Sequence, residues 1–93
     1  LPANVVELVE KIITVIDDDL KKTVKMFFDC NLSVNKAAKN LFVHRNTITY
    51  RLDRVKNLTG LDPRNFYEAM YLYLAIMLEK YNSRTDTNCS GGM

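Results

Sequence analysis

The stretch Leu41-Phe42-Val43-His44-Arg45-Asn46-Thr47-Ile48-Thr49-Tyr50-Arg51-Leu52 decides the fold. Ile48 and Leu52, continued by Val55, recur at i, i+4 and i+7, the spacing of one buried helix face. An advance of ~100° per residue then sets Asn46, Tyr50 and Asp53 on the opposite face, with Thr49 and Arg54 beside them. Upstream lies a short polar segment, Ser33 to Asn40, that carries Ala37-Ala38. Two side chains that small let a neighbouring helix cross closely. Phe42-Val43 reads as a tight turn with Val43 as its buried residue, and His44 starts the helix that follows. The spacing predicts a helix over 34–41 capped by Ser33, and another from His44 to about 59 ended by Gly60. A helix, a tight turn and a second helix with a polar, cationic outer face make the build of a helix-turn-helix, whose second helix enters the major groove of DNA.

Toward the N-terminus, Asn4 followed by Glu7 resembles a capping box, and Val5, Leu8, Val9, Ile12, Ile13 and Ile16 recur at helical spacing. They predict a first helix over about 5–16. Asp17-Asp18-Asp19 reads as a loop and N-cap rather than a cation site, because carboxylates suit a helix N-terminus. Leu20, Val24, Phe27 and Phe28 mark a second helix over about 20–30, ended by Asn31, with Leu32 as a core anchor in the turn. Toward the C-terminus, Leu61 packs back, and Asp62-Pro63 supplies an N-cap and a proline for a fifth helix over about 63–81. That helix is apolar nearly all round. Phe66, Met70, Leu74 and Met77 lie on one side, and Ala69, Leu72, Tyr73 and Ile76 on another. An exposed helix needs one apolar stripe only, so this one either has two partners, its own core and a second subunit, or is fully buried in its own small domain. Leu72, Tyr73 and Ile76 are the expected dimer contacts. The fold class is therefore all-α, a small bundle of about five helices containing a helix-turn-helix, with one domain over 1–81 and a disordered tail over 82–93.

A chain of 93 residues is one domain and buries about 60–65% of its unfolded surface around a single core. Apolar residues at 47% and charged residues at 26% are usual for a soluble globule. No apolar run has membrane-spanning length, and no signal peptide opens the chain. It begins at Leu1 and is expected to be a piece of a longer protein. Cys30 and Cys89 are its only cysteines. No disulfide is expected between them, which fits a reducing, cytoplasmic setting. Two thiols and one distant His44 do not make a metal site, and no cofactor is expected. Catalysis has almost nothing behind it, since His44 lacks a nucleophile partner and there is no Gly-rich phosphate loop.

Charge is unevenly spread. Residues 36–56 hold six cations, Lys36, Lys39, Arg45, Arg51, Arg54 and Lys56, against one acid, Asp53. That segment carries +5 and the rest −3, for a net +2. One concentrated basic segment on a nearly neutral chain points to a polyanion footprint.

The candidate interface follows from side-chain chemistry. Arg45 can donate two hydrogen bonds to guanine O6 and N7, and Asn46 can pair with adenine N6 and N7. Thr49 suits a thymine methyl or a weak hydrogen bond. Thr47 and the free amides of the first turn suit a phosphate, and His44 caps that end, with a phosphate contact as its second reading. Tyr50 is placed to reach the backbone through its hydroxyl. Arg51 and Arg54 are read as phosphate or intramolecular partners, and Lys36 and Lys39 as contacts to the flanking backbone.

These residues also carry a resemblance. From about Asp19 to Leu78 the chain resembles the C-terminal helix-turn-helix domain of the PucR/CdaR family of bacterial transcription regulators. It rests on Asn31-Leu32-Ser33-Val34, Ala37-Ala38, Leu41-Phe42-Val43-His44-Arg45-Asn46-Thr47, Tyr50-Arg51-Leu52 and Leu58-Thr59-Gly60-Leu61. The resemblance implies a domain at the end of a larger regulator whose upstream part senses a metabolite. It also implies dimeric binding to double-stranded promoter DNA, with Arg45, Asn46, Thr47 and Thr49 facing the duplex. The family commonly has Arg where this chain has Thr49, and other helix-turn-helix units commonly have Gly where it has Phe42. A homodimer is expected, with no membrane partner and no small-molecule effector on this segment. The rival reading is a helical interaction or dimerisation module with weak DNA contacts.

Overall fold

The computed structural model describes the backbone of residues 4–91 and the side chains of residue 4 and residues 6–79. Five helices follow in order: α1 Val5–Val15, α2 Asp18–Asp29, α3 Val34–Leu41, α4 Arg45–Thr59 and α5 Phe66–Gly91. Among the described residues there is no strand. The all-α, helix-turn-helix-containing bundle expected from the sequence is what the chain forms.

Each helix starts where a polar side chain satisfies a free first-turn amide. Asn4 Oδ1 accepts the Glu7 N–H at 2.9 Å, and Asp17 Oδ1 accepts the Leu20 N–H at 2.9 Å. The cap of α2 is thus the first of the three aspartates, which starts that helix two residues earlier than expected. Asp18 and Asp19 then lie in its first turn, where negative charge favours the helix dipole. Ser33 Oγ accepts the Lys36 N–H at 3.1 Å. α2 ends in a Schellman motif, with Leu32 N–H on the Phe27 carbonyl at 2.8 Å and Asn31 N–H on the Phe28 carbonyl at 2.9 Å. Both Asn31 and Leu32 take positive φ, 58° and 64°.

α1 packs on α5, α3 on α4, and α2 touches α3, α4 and α5. One core joins them. It contains Ile12 and Ile16, Leu20, Val24 and Phe27, Ala37 and Ala38, Ile48, Leu52 and Val55, and Leu72, Ala75 and Ile76. Ala37 and Ala38 are both buried, as close crossing of α3 by its neighbours requires. Fully burying one aliphatic side chain of this size contributes about 1.5–3 kcal/mol. The one buried polar residue among those described, Thr23, is satisfied: its hydroxyl donates to the Asp19 carbonyl at 2.8 Å and accepts Arg51 Nη1 at 3.1 Å. A Lys21–Glu79 pair at 2.9 Å ties α2 to α5.

Four expectations are corrected. Leu32 is not a core anchor. Its left-handed backbone turns it outward, and 46% of it is exposed. The fifth helix does not start at Pro63. The Asp62 carboxylate is taken by the Arg64 N–H and guanidinium, so it closes a turn instead, and Pro63 is buried beneath that turn. Asn65 takes the cap, its Oδ1 accepting the Glu68 N–H at 3.1 Å. At the other end, the helical backbone runs through Gly91 rather than stopping near 81. Residues 82–90 contain neither proline nor glycine, so nothing in the covalent chain breaks the ladder before Gly91. The Cys89 thiol lies outside the described side chains. Finally, Leu72 and Ile76 are packed into the domain's own core, 0% and 8% exposed, rather than presented on its surface. Of the three expected dimer contacts only Tyr73 faces outward.

Candidate nucleic-acid interface

α4 is held by three fully buried side chains, Ile48, Leu52 and Val55. With that face fixed against α2 and α3, helical phase turns Arg45, Asn46, Thr49, Tyr50, Asp53 and Arg54 to the outside, and all six are exposed. Thr47 is half-buried.

The turn before α4 sets where its first residues stand. α3 closes in a Schellman motif, Val43 N–H on the Ala38 carbonyl at 3.0 Å and Phe42 N–H on the Lys39 carbonyl at 3.3 Å. Phe42 takes the left-handed conformation there, φ 58° and ψ 41°, where glycine is usual. Val43 packs partly buried against the core, as expected of the turn's inward residue. His44 caps α4: its Nδ1 accepts the Asn46 N–H at 3.0 Å. An accepting Nδ1 carries no proton, so the ring's hydrogen sits on Nε2 and points away from the cap as a donor.

Among the described residues, no hydrogen bond or ion pair occupies the side chains of Arg45, Asn46 or Arg54. Their donors face solvent. Thr49 differs, because its hydroxyl donates back to the Arg45 carbonyl at 3.2 Å. That leaves the methyl and an oxygen lone pair outward, a surface for apolar contact more than for donation. Arg51 is half-buried and turned toward α2, where it donates to Thr23. Of the two roles weighed for it, the structure shows the intramolecular one. Lys36 and Lys39 are exposed on α3.

α3 and α4 enclose a groove of about 280 Å³ lined by Ser33, Val34, Asn35, Arg45 and Thr49. It brings the N-terminus of α3 beside the base-reading candidates of α4. Asn35 and Ser33 were not singled out from the sequence as interface residues. The available signal was Ser33 as N-cap, since the amides a cap leaves free at a helix start suit an anion. Asp53, the one acid of the basic segment, is bound by Arg64 Nη2 at 2.6 Å, while Arg64 Nε reaches Asp62 at 2.9 Å. Its negative charge is thereby offset. Burial pushes the Asp62 carboxyl up, but the Arg64 N–H and guanidinium and the Lys56 ammonium outweigh it and hold the group below the usual carboxylate range. Hydrogen bonds from Asp53 and Asp62 raise Arg64 correspondingly. Among the described residues there is no metal-binding cluster, and no helix is long and apolar enough to cross a membrane.

Comparison with known proteins converges on the same elements. Residues 20–78, from the first core leucine of α2 to the middle of α5, match the model of the PucR C-terminal helix-turn-helix domain. The chain is 43% identical over 61 residues to the carbohydrate diacid regulator of Escherichia coli (strain K12), covering 66% of this chain and 16% of that protein. It is 36% identical over 62 residues to the proline-responsive transcriptional activator PutR of Bacillus subtilis (strain 168), covering 67% and 15%. A crystal structure of a regulator of polyketide synthase expression from Bifidobacterium adolescentis superposes with a TM-score of 0.77 at 31% identity, covering 84% of this chain and 34% of that one. The chain thus spans a small share of the length of these relatives. A helix-turn-helix with its buried strip, its capped second helix and its matched residues 20–78 places the chain in the family of PucR C-terminal helix-turn-helix domains.

Proposed function

We propose that this chain binds double-stranded promoter DNA in a sequence-dependent way, with the first turns of α4 in the major groove. The observation that carries this reading is the pairing of two facts on one helix. Ile48, Leu52 and Val55 fix α4 rigidly, and the side chains of Arg45 and Asn46 stand exposed without internal partners. Arg45 and Asn46 read base edges, and Thr49 offers its methyl. Thr47, the His44 Nε2–H, Tyr50, Arg54, Lys36 and Lys39 hold phosphates, which gives affinity and register. Arg51 supports the interface from behind through Thr23. The role is regulation of transcription in the cytoplasm, through binding rather than catalysis. One short helix makes few base contacts, so a homodimer reads a two-part site with half-sites about one turn, roughly 34 Å, apart.

The reading is tested by titrating a labelled duplex from the parent gene's promoter, and an unrelated duplex, at several salt concentrations. The expected result is preference for the promoter, with log affinity falling by about 0.9 per phosphate neutralised for each unit of log salt. Asn46→Ala relaxes preference at one base position, whereas Lys39→Ala weakens all duplexes alike. Equal losses on every sequence for Asn46→Ala would remove it as a base reader. The second reading, an interaction module with weak DNA contacts, draws on the exposed apolar face of α5. Absence of duplex binding at low salt would favour it.

A further inference from the structure

The outer surface of α5 reverses the usual order of a surface helix. Between Phe66 and Leu78 every exposed residue is apolar or aromatic. Phe66, Tyr67, Met70, Leu74, Met77 and Leu78 are exposed by 37% to 75%. The two charged residues on or just past this stretch, Glu68 and Glu79, are turned to the domain's own side. Glu68 accepts the Asp62 N–H at 2.8 Å, and Glu79 pairs with Lys21 at 2.9 Å. A helix on a water-facing surface places charge outward and apolar residues inward. Here the inner strip is filled by Ala69, Leu72 and Ile76, and a second apolar face is left over.

The eight exposed residues of this stretch, Tyr71 and Tyr73 included, leave on the order of 100 Å² open each, so the face offers on the order of 800 Å². That exceeds the largest patch of a typical monomer and equals one partner's share of a standard protein interface. Its shape is two-ended. At the N-terminal end, Phe28, Leu32, Phe66, Ala69, Met70 and Tyr73 line an apolar groove of about 250 Å³. One wall is Leu32, turned outward by its left-handed backbone. Toward the C-terminal end stand Leu74, Met77 and Leu78. A groove at one end of the stripe and exposed aliphatic side chains at the other are what a two-fold axis through its middle brings together.

We infer that this face receives a second copy of the same chain, α5 antiparallel on α5, the Leu74–Leu78 end of each filling the groove of the other. An axis near the level of Leu72 sets Met70 of one copy against Leu74 of its partner. The pairing rests on the apolar face alone and holds whether or not the chain binds DNA. It also supplies the two-fold that a two-part site needs, while both α4 helices keep their outward faces.

Sedimentation of the chain without DNA, from micromolar to millimolar concentration, tests the pairing. The wild type is expected to associate to a dimer. Leu74→Glu and Met70→Lys are each expected to weaken association roughly a hundredfold, since a charge then lies unpaired in the apolar seam. Both positions are about half exposed, so at a concentration where all three chains are monomeric the circular dichroism melts of the variants should match the wild type. Mixing the two variants restores association, because an antiparallel pair sets the introduced ammonium of one chain against the introduced carboxylate of the other. A wild type that stays monomeric at millimolar concentration overturns the inference, whatever other partner covers the face. So does either variant associating like the wild type, or a mixture no tighter than its components. Leu74→Glu binding a single half-site duplex as the wild type does would leave the DNA reading standing in any of these cases, so the two fail separately.

Discussion

α4 and α5 are built alike on the inside and oppositely on the outside. Each buries one strip at helical spacing, Ile48, Leu52 and Val55 in α4, and Ala69, Leu72 and Ile76 in α5. Outward, α4 shows Arg45, Asn46 and Arg54 with their donors uncommitted, whereas α5 shows Phe66, Met70, Leu74 and Met77. Similar strips hold both helices in one core, so the core does not tell the two apart. What separates them is the residual chemistry each helix carries to the surface after its packing needs are met. Polar donors without internal partners suit a ligand that supplies acceptors, such as base edges and phosphates. Apolar side chains without internal partners suit another apolar surface.

The largest expected effect comes from crossing the two faces. Leu52→Ala removes a side chain that is 0% exposed at the junction of α2, α3 and α4. It should lower stability by about 2–5 kcal/mol in urea titrations, through lost burial and a cavity. Leu74→Ala, 48% exposed, should cost less than about 1 kcal/mol when measured at a concentration where the chain is monomeric. Comparable costs at the two positions would mean that the α5 face is not outward at all, and the contrast between the helices would collapse.

The sequence carried most of this contrast, for a physical reason. Helical spacing fixes which residues share a face, so the sets Ile48/Leu52/Val55 and Phe66/Met70/Leu74/Met77 were legible before any coordinate. What spacing does not fix is which of two apolar faces turns inward. Leu72 and Ile76 were therefore expected at a partner and are found in the core against α1. Local backbone geometry was equally hidden. Asp62-Pro63 is a sound helix start in isolation, but Arg64 competes for the carboxylate and moves the cap to Asn65. Leu32 reads as an anchor by hydropathy, yet a Schellman ending forces it outward. At the candidate interface, residue types gave the candidate readers. Long-range pairing then committed Arg51 to Thr23 and Asp53 to Arg64, partners 28 and 11 residues away that no local pattern displays.

The Arg64 bridge links the C-terminal half of α4 to the start of α5, so loosening it should blur the boundary between the two faces. The folded Asp62 carboxyl lies below its ordinary value of 3.8, so its contribution to stability is present above that pH. The contribution is lost as the pH falls through the lower folded value. Asp62→Asn is expected to cost about 0.5–1 kcal/mol near neutral pH, the scale of a partly exposed ion pair. The gap between variant and wild type should close in acid, as the pH falls through the lowered folded value and Asp62 protonates in both folded and unfolded chains. A gap that persists unchanged into acid would show that the side chain acts through shape rather than charge.

The smallest expected effect concerns Phe42, where the α4 side of the comparison contains an apolar residue of its own. It is 94% exposed, so replacing it removes almost no buried surface. Its left-handed backbone costs a non-glycine residue about 1 kcal/mol or more, and glycine takes that conformation freely. Against this, glycine widens the unfolded ensemble by about 0.4–1 kcal/mol. The two terms nearly cancel, and Phe42→Gly should be neutral or stabilising by a few tenths of a kcal/mol in chemical denaturation. Because the turn hydrogen bonds run through backbone atoms, the Val43 N–H to Ala38 contact should survive and α4 should keep its direction. Promoter affinity then isolates the side chain: unchanged affinity would make Phe42 a passive occupant of a strained turn. A loss of affinity without a loss of stability would instead place an aromatic ring among the groups that touch the duplex, so that the polar face of α4 and the apolar face of α5 would no longer divide the surface so cleanly.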